Sequence, residues 1–129
     1  MDDCTCGVKG TPVTINLVRH HLTAAWQHSV EGKSFTFCEE PGCPVVYFAG
    51  DGTTFDVAAV RAAPAYKSGD KADRLCFCFD VTGQDVLGDS DPTPYVRERV
   101  RQGECACDVL NPSGMCCLGS IGRWVKAHN

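Results

Sequence analysis

The sequence predicts an α+β fold of two small lobes, and three observations carry that expectation. Short segments that alternate apolar and polar residues stand beside segments with helical spacing and capping residues, in a chain of 129 residues, the size of one ordinary domain. The ten cysteines fall into two groups: Cys4, Cys6, Cys38 and Cys43 in the first third, and Cys76, Cys78, Cys105, Cys107, Cys116 and Cys117 in the last half. Residues 44–75 hold none, and the polar stretch KSGDKAD, residues 67–73, is the expected connection between a lobe of residues 1–66 and one of residues 74–129.

The first expected element is a helix in TINLVRHHLTAAWQH, with Thr14 as N-cap and Ile15, Val18, Leu22 and Ala25 on one face. SFTFC alternates as a strand does, and PVVYFAGDGTTF reads as two strands joined at GDGT. A short helix is expected at DVAAVRAA, ended by Pro64. LCFCF is an extended segment. In DVTGQDVL, Thr82 and Asp85 stand in a capping-box arrangement and Gly88 keeps the helix short. TPYVRERVRQG offers Thr93 as N-cap, Pro94 at the first helical position and Gly103 as the stop. The last segment, CLGSIGRWVKAH, has an apolar stripe of Leu118, Ile121 and Val125, weakened as a helix by its two glycines.

Composition narrows the function classes. Net charge is −4 and the 12 basic residues are scattered, which argues against a nucleic-acid footprint. No apolar run approaches a membrane span, and the acidic start MDDCTCG lacks the apolar core of a signal peptide. So many cysteines without an export signal point to the cytoplasm and to metal or redox chemistry rather than a disulfide scaffold. There is no nucleophile motif, no His-Glu-x-x-His and no phosphate-binding glycine loop, so an electron carrier is favoured over a stand-alone enzyme.

CEEPGC, residues 38–43, sets two thiols across a Pro-Gly turn that can aim both sulfurs at one ion. Cys4 and Cys6 are able to complete the set, and four thiolates in tetrahedral array suit Zn2+. His20, His21 and His28 on the first helix are rival ligands. In the second group, Cys76 and Cys78 lie one residue apart; 28 residues separate Cys78 from Cys107 and nine separate Cys107 from Cys117. A close Cys-x-Cys pair followed by a distant pair can wrap an iron–sulfur cluster, and spacing leaves a second zinc open. Residues 105–117 offer four cysteines where two are needed.

FTFCEEPGCPVVYF, LCFCFDVT and NPSGMCCLG together resemble the N-terminal domain of the CopZ-type copper chaperones, over nearly the whole chain. The resemblance implies a mononuclear zinc site and a [2Fe-2S] cluster: a small zinc-binding β-hairpin/helix lobe packed on a helical [2Fe-2S] lobe that is similar to bacterioferritin-associated ferredoxin. It assigns the cluster to Cys76, Cys78, Cys107 and Cys117, and zinc to Cys4, Cys6, Cys38 and Cys43. A physical argument agrees with Cys117 over Cys116, because Cys117 stands at the start of the last helix, where free N–H groups favour an anionic sulfur. Two departures stand out. The first zinc pair has one spacer instead of two, and the chain contains no Met-x-Cys-x-x-Cys copper loop. The expected function is one-electron transfer to a redox partner protein, or reduction of a metal ion such as copper. The alternative is a module that binds Cu(I) or another soft cation through Cys105 and Cys116 without net electron transfer.

Overall fold

The computed structural model describes residues 3–128. Its first half is a four-stranded antiparallel sheet in the order β1 (Thr11–Val13), β2 (Phe35–Phe37), β3 (Val45–Ala49), β4 (Thr54–Asp56). Every residue of β3 is buried, so this central strand is covered on both faces. That is why VVYFA runs continuously apolar instead of alternating, as strands buried on both sides do. The expected hairpin at GDGT is present: Ala49 N–H donates to Thr53 O at 2.9 Å, and Gly52 takes the left-handed turn position at φ +95°.

Helix α1 (Ile15–His21) packs on this sheet, capped as expected by the Thr14 hydroxyl, which accepts from Leu17 N–H at 3.1 Å. It stops earlier than its apolar spacing predicts. Leu22 is extended, Ala24 is left-handed, and a single 3₁₀ turn follows at Ala25–Gln27. The helix expected at DVAAVRAA does not form either. Both failures have one cause, because the two segments pair with each other. Thr23 N–H donates to Ala59 O at 2.9 Å, Arg61 N–H donates to His21 O at 2.7 Å, and Leu22 and Val60 form an antiparallel bridge. Pro64, expected to end a helix, instead precedes one, α2 (Ala65–Ser68). The first core joins Val18, Leu22, Phe35, Phe37, Val46, Tyr47 and Phe55.

The second half begins with a two-stranded ribbon, β5 (Arg74–Cys76) and β6 (Val81–Thr82). Helices α3 (Gly83–Leu87), α4 (Thr93–Arg101), α5 (Cys107–Leu110) and α6 (Cys117–Ala127) follow. The capping box at α3 is formed in both directions: Asp85 N–H donates to the Thr82 hydroxyl at 3.1 Å, and Thr82 N–H donates to the Asp85 carboxylate at 3.0 Å. Helix α4 starts one residue earlier than expected, with Pro92 in the cap position. Helix α6 is continuous despite its glycines. Ile121 and Trp124 are buried, and the Trp124 indole N–H donates to Gly83 O at 3.0 Å, so packing outweighs the weak propensity. The second core joins Ala65, Leu75, Cys76, Val81, Val86, Val96, Cys107, Cys117, Ile121 and Trp124.

Polar contacts tie the halves together. The buried Tyr47 hydroxyl donates to Pro112 O at 2.5 Å, and His21 Nε2 lies 2.8 Å from Val109 O. The chain is thus a mixed α+β fold of small sheets and short helices.

Candidate metal centres

The Cys4–Cys6 segment is a turn rather than a strand. An antiparallel bridge between Asp3 and Lys9 closes it, Gly7 N–H donates to Cys4 O at 2.8 Å, and Gly7 is left-handed at φ +92°. A second turn carries Cys38 and Cys43. Cys38 N–H extends the β2–β3 ladder to Val46 O at 2.9 Å, Gly42 is left-handed at φ +87°, and Cys43 N–H returns to Glu40 O at 3.2 Å. The two turns face each other. The Cys4 and Cys43 sulfurs are 3.8 Å apart, those of Cys6 and Cys38 are 3.7 Å apart, and all four lie within 4.8 Å of one another. A tetrahedron with metal–sulfur bonds of about 2.3 Å has edges of about 3.8 Å, so the group fits one zinc ion. Among the described residues it is the one such group of three or more His, Cys, Asp or Glu ligand atoms.

The backbone prepares these sulfurs for negative charge. Backbone N–H groups two residues further on, those of Cys6, Glu40 and Val45, act to lower the Cys4, Cys38 and Cys43 thiols respectively. Burial pushes the Cys4 thiol up, but the Cys6 N–H and the neighbouring thiols outweigh it and bring it down to about 7. Burial dominates at Cys38, raising it to about 12, and also raises Cys43. One thiol of the group therefore ionises readily, and a cation is needed to hold all four as thiolates.

In the second half, Cys76 ends β5 and Cys78 lies in the ribbon's turn, closed by Asp80 at φ +59° and the Arg74–Asp80 ion pair at 2.8 Å. Cys107 begins α5 and Cys117 begins α6. The intervening NPSG is a tight turn: Ser113 N–H and hydroxyl both donate to Asn111 Oδ1, at 3.0 and 2.9 Å, and Gly114 N–H donates to Asn111 O at 2.8 Å. These elements bring four sulfurs together as two pairs. The Cys78 and Cys107 sulfurs are 3.4 Å apart, and Cys76 and Cys117 are neighbours whose thiols shift each other. Ala106 N–H donates to the Cys78 sulfur at 3.1 Å, while the backbone N–H of Cys117 acts to lower the Cys107 thiol and those of Phe79 and Cys78 to lower the Cys76 thiol. The neighbouring Cys117 thiol brings Cys76 down to about 7, against burial, and the same contact raises Cys117. Burial raises Cys107 to about 12.

The remaining thiols are placed differently. Cys105 is half-buried and Cys116 is exposed; Cys116 occupies the cap position before α6. All ten cysteines are free thiols. The histidines are apart from both sulfur sets. His21 is buried with Nε2 on the Val109 carbonyl, and burial lowers its pKa, while His20 and His28 are exposed. Sequence reasoning missed the N–H donors to sulfur and the buried Lys67, whose ammonium donates to Glu40 O at 3.0 Å. Lys67 lies in a polar stretch that reads as a connection, and nothing in its spacing announces burial.

Comparisons with known proteins agree with the geometry. Residues 2–61 match the family profile zf_CopZ, described as a zinc binding domain. No curated protein matches the chain. Among solved structures, the chain is similar to the X-ray structure of the Archaeoglobus fulgidus CopZ N-terminal domain, with 25% identity, a TM-score of 0.76, and 94% of this chain and 95% of that chain covered. Among the described residues no helix is long and apolar enough to cross a membrane. Residues 2–61 therefore match a zinc-binding domain of the CopZ type and contain a four-cysteine group that fits a metal ion, and the chain as a whole is similar in fold to a CopZ N-terminal domain.

Proposed function

We propose that the chain is a zinc and [2Fe-2S] protein of one-electron transfer, in which Cys4, Cys6, Cys38 and Cys43 hold zinc and Cys76, Cys78, Cys107 and Cys117 hold the cluster. The observation that carries the second assignment is the meeting of those four sulfurs as two pairs in one small core. A single tetrahedral ion asks for four mutually close sulfurs, as in the first lobe. Two pairs suit a guest with two metal atoms, each taking two thiolates.

When bound, such a cluster accepts and releases one electron. The chain's own residues do the rest. N–H groups of Cys78, Phe79, Ala106 and Cys117 direct positive ends at the sulfurs, which favours their anionic form and the more negative, reduced state. Leu75, Val81, Val96, Ile121 and Trp124 keep water from the inner side. Val109, Leu110 and Met115, close in sequence to Cys107 and Cys117, are exposed and offer an apolar face for an acceptor. The acceptor is a redox protein or a metal ion such as copper. In this reading residues 1–66 form the zinc lobe and residues 74–129 a cluster lobe of the bacterioferritin-associated ferredoxin kind. The protein works in the cytoplasm, where thiols stay reduced. The alternative is a module that binds Cu(I) or another soft cation through Cys105 and Cys116, which lie outside the sulfur pairs.

The test is anaerobic preparation followed by metal and sulfide analysis and an absorption spectrum. The expected result is a red-brown protein with about two irons and one zinc per chain. A colourless protein with two zincs defeats the cluster assignment.

A further inference from the structure

Lys67 is only 5% exposed, and a buried ammonium is unfavourable unless a counter-charge and hydrogen bonds meet it. The ion pairs among the described residues are Arg19–Glu31, Lys33–Asp51, Arg74–Asp80, Arg99–Glu104 and Arg101–Glu98, and Lys67 is in none of them. Its hydrogen-bond partner is a backbone carbonyl, Glu40 O, at 3.0 Å. That carbonyl belongs to the turn between Cys38 and Cys43, and it also accepts the Cys43 N–H at 3.2 Å. The ammonium therefore sits on the loop that presents two of the four sulfurs. Four thiolates around one Zn2+ carry a net charge of −2, which is the missing counter-charge.

We propose that Lys67 is the built-in counter-ion of the four-cysteine zinc centre, a positioning residue that steadies the Cys38–Cys43 loop and lowers the electron density on its sulfurs. This rests on the zinc reading of Cys4, Cys6, Cys38 and Cys43. Lys67 sits on α2, whose Ala65 belongs to the second core, so the counter-charge of the first lobe is delivered by an element seated on the other. A neighbouring positive charge stabilises the sulfur lone pairs. It thereby opposes metal loss and attack by electrophiles, and its removal should weaken metal binding by about 10- to 100-fold, as loss of groups that support metal ligands does.

The test uses the full chain, loaded with zinc or with cobalt(II) as a coloured substitute. Lys67→Gln keeps a donor for Glu40 O but drops the charge, Lys67→Met drops both, and Lys67→Arg keeps both. In Lys67→Gln and Lys67→Met the thiolate-to-cobalt charge-transfer band should move to longer wavelength, and zinc should be held about 10- to 100-fold more weakly against a chelator. Lys67→Arg should restore both readouts. Failure of Lys67→Gln and Lys67→Met to fold, with Lys67→Arg folding normally, also supports a need for charge. Wild-type band position and zinc retention in Lys67→Gln overturn the proposal, as does failure of all three variants to fold, which would mark a purely steric role. A wild-type chain that takes up neither zinc nor cobalt defeats the zinc reading itself, a separate outcome.

Discussion

In the first lobe four sulfurs lie within 4.8 Å of one another, at the tips of two facing turns. In the second, Cys78 meets Cys107 and Cys76 meets Cys117, from a ribbon and the starts of two helices. The first arrangement is made by hairpin turns whose short loops fix both sulfurs of a pair at once. The second is made by distant elements that only the packed core brings together. In the proposed reading the two halves therefore depend on their guests differently. In the first, only Cys4, Cys38, Cys43, Val45 and Phe48 form the small apolar cluster around the sulfurs, so a metal has much to add. In the second, Cys76, Cys107 and Cys117 are themselves members of a ten-residue core that includes Leu75, Ile121 and Trp124.

Breaking the first centre should have the largest effect. Cys38→Ala or Cys43→Ala should lose the zinc and most of the folded first lobe, because zinc bound by such a set contributes about 10 kcal/mol or more to folding. Zinc analysis and circular dichroism check this, and a variant that folds normally with its zinc would remove the four-sulfur group from consideration as the zinc site.

At the second centre the effect should be chemical before it is structural. Cys107→Ser or Cys117→Ser should abolish or strongly alter the cluster spectrum, while Cys105→Ser and Cys116→Ser should leave it nearly intact. Electron paramagnetic resonance of the reduced, reconstituted variants decides between the pairs. Loss of signal in Cys116→Ser with retention in Cys117→Ser would reverse the assignment at the twin cysteines.

Zinc removal by a chelator should separate the lobes. Amides of the Cys38–Val46 ladder should lose protection from hydrogen exchange, whereas the fluorescence of buried Trp124 should stay blue-shifted. Trp26, 84% exposed, should emit as a solvated indole and serve as the reference. Simultaneous exposure of Trp124 would mean that the lobes unfold as one unit.

The smallest expected effect falls on the seam. Tyr47→Phe removes the donor to Pro112 O and leaves that buried carbonyl unpaired, at a cost of about 1–3 kcal/mol. The loss should appear in urea unfolding of the whole chain, since Tyr47 lies in the first core and Pro112 in the turn that separates Cys107 from Cys117. No change in the midpoint would show that the bond contributes nothing to joining the halves.

The local patterns in the sequence determined much of this protein. Thr14 and Thr82 announce their helices because a hydroxyl at a helix start satisfies an N–H with no intrahelical partner. GDGT announces the β3–β4 hairpin, and CEEPGC announces a turn that aims two sulfurs the same way. The gathering of Cys4 and Cys6 with Cys38 and Cys43 was legible from residue type and count, since four thiols in one short lobe have few other uses. Tertiary structure decided what depends on distant partners. It ended α1 at His21 and unmade the helix expected at DVAAVRAA, because backbone groups of the two segments found each other instead of their own helical partners. It kept α6 whole through its glycines, because burial of Ile121 and Trp124 outweighs local propensity. It set Cys107 and Cys117 against Cys78 and Cys76 and left Cys116 exposed, in keeping with the preference for Cys117 that its place at the start of the last helix already gave in the sequence. It also buried Lys67 from a stretch that reads as a solvated connection, because α2 docks on the second core while its lysine reaches the first lobe's sulfur-bearing turn.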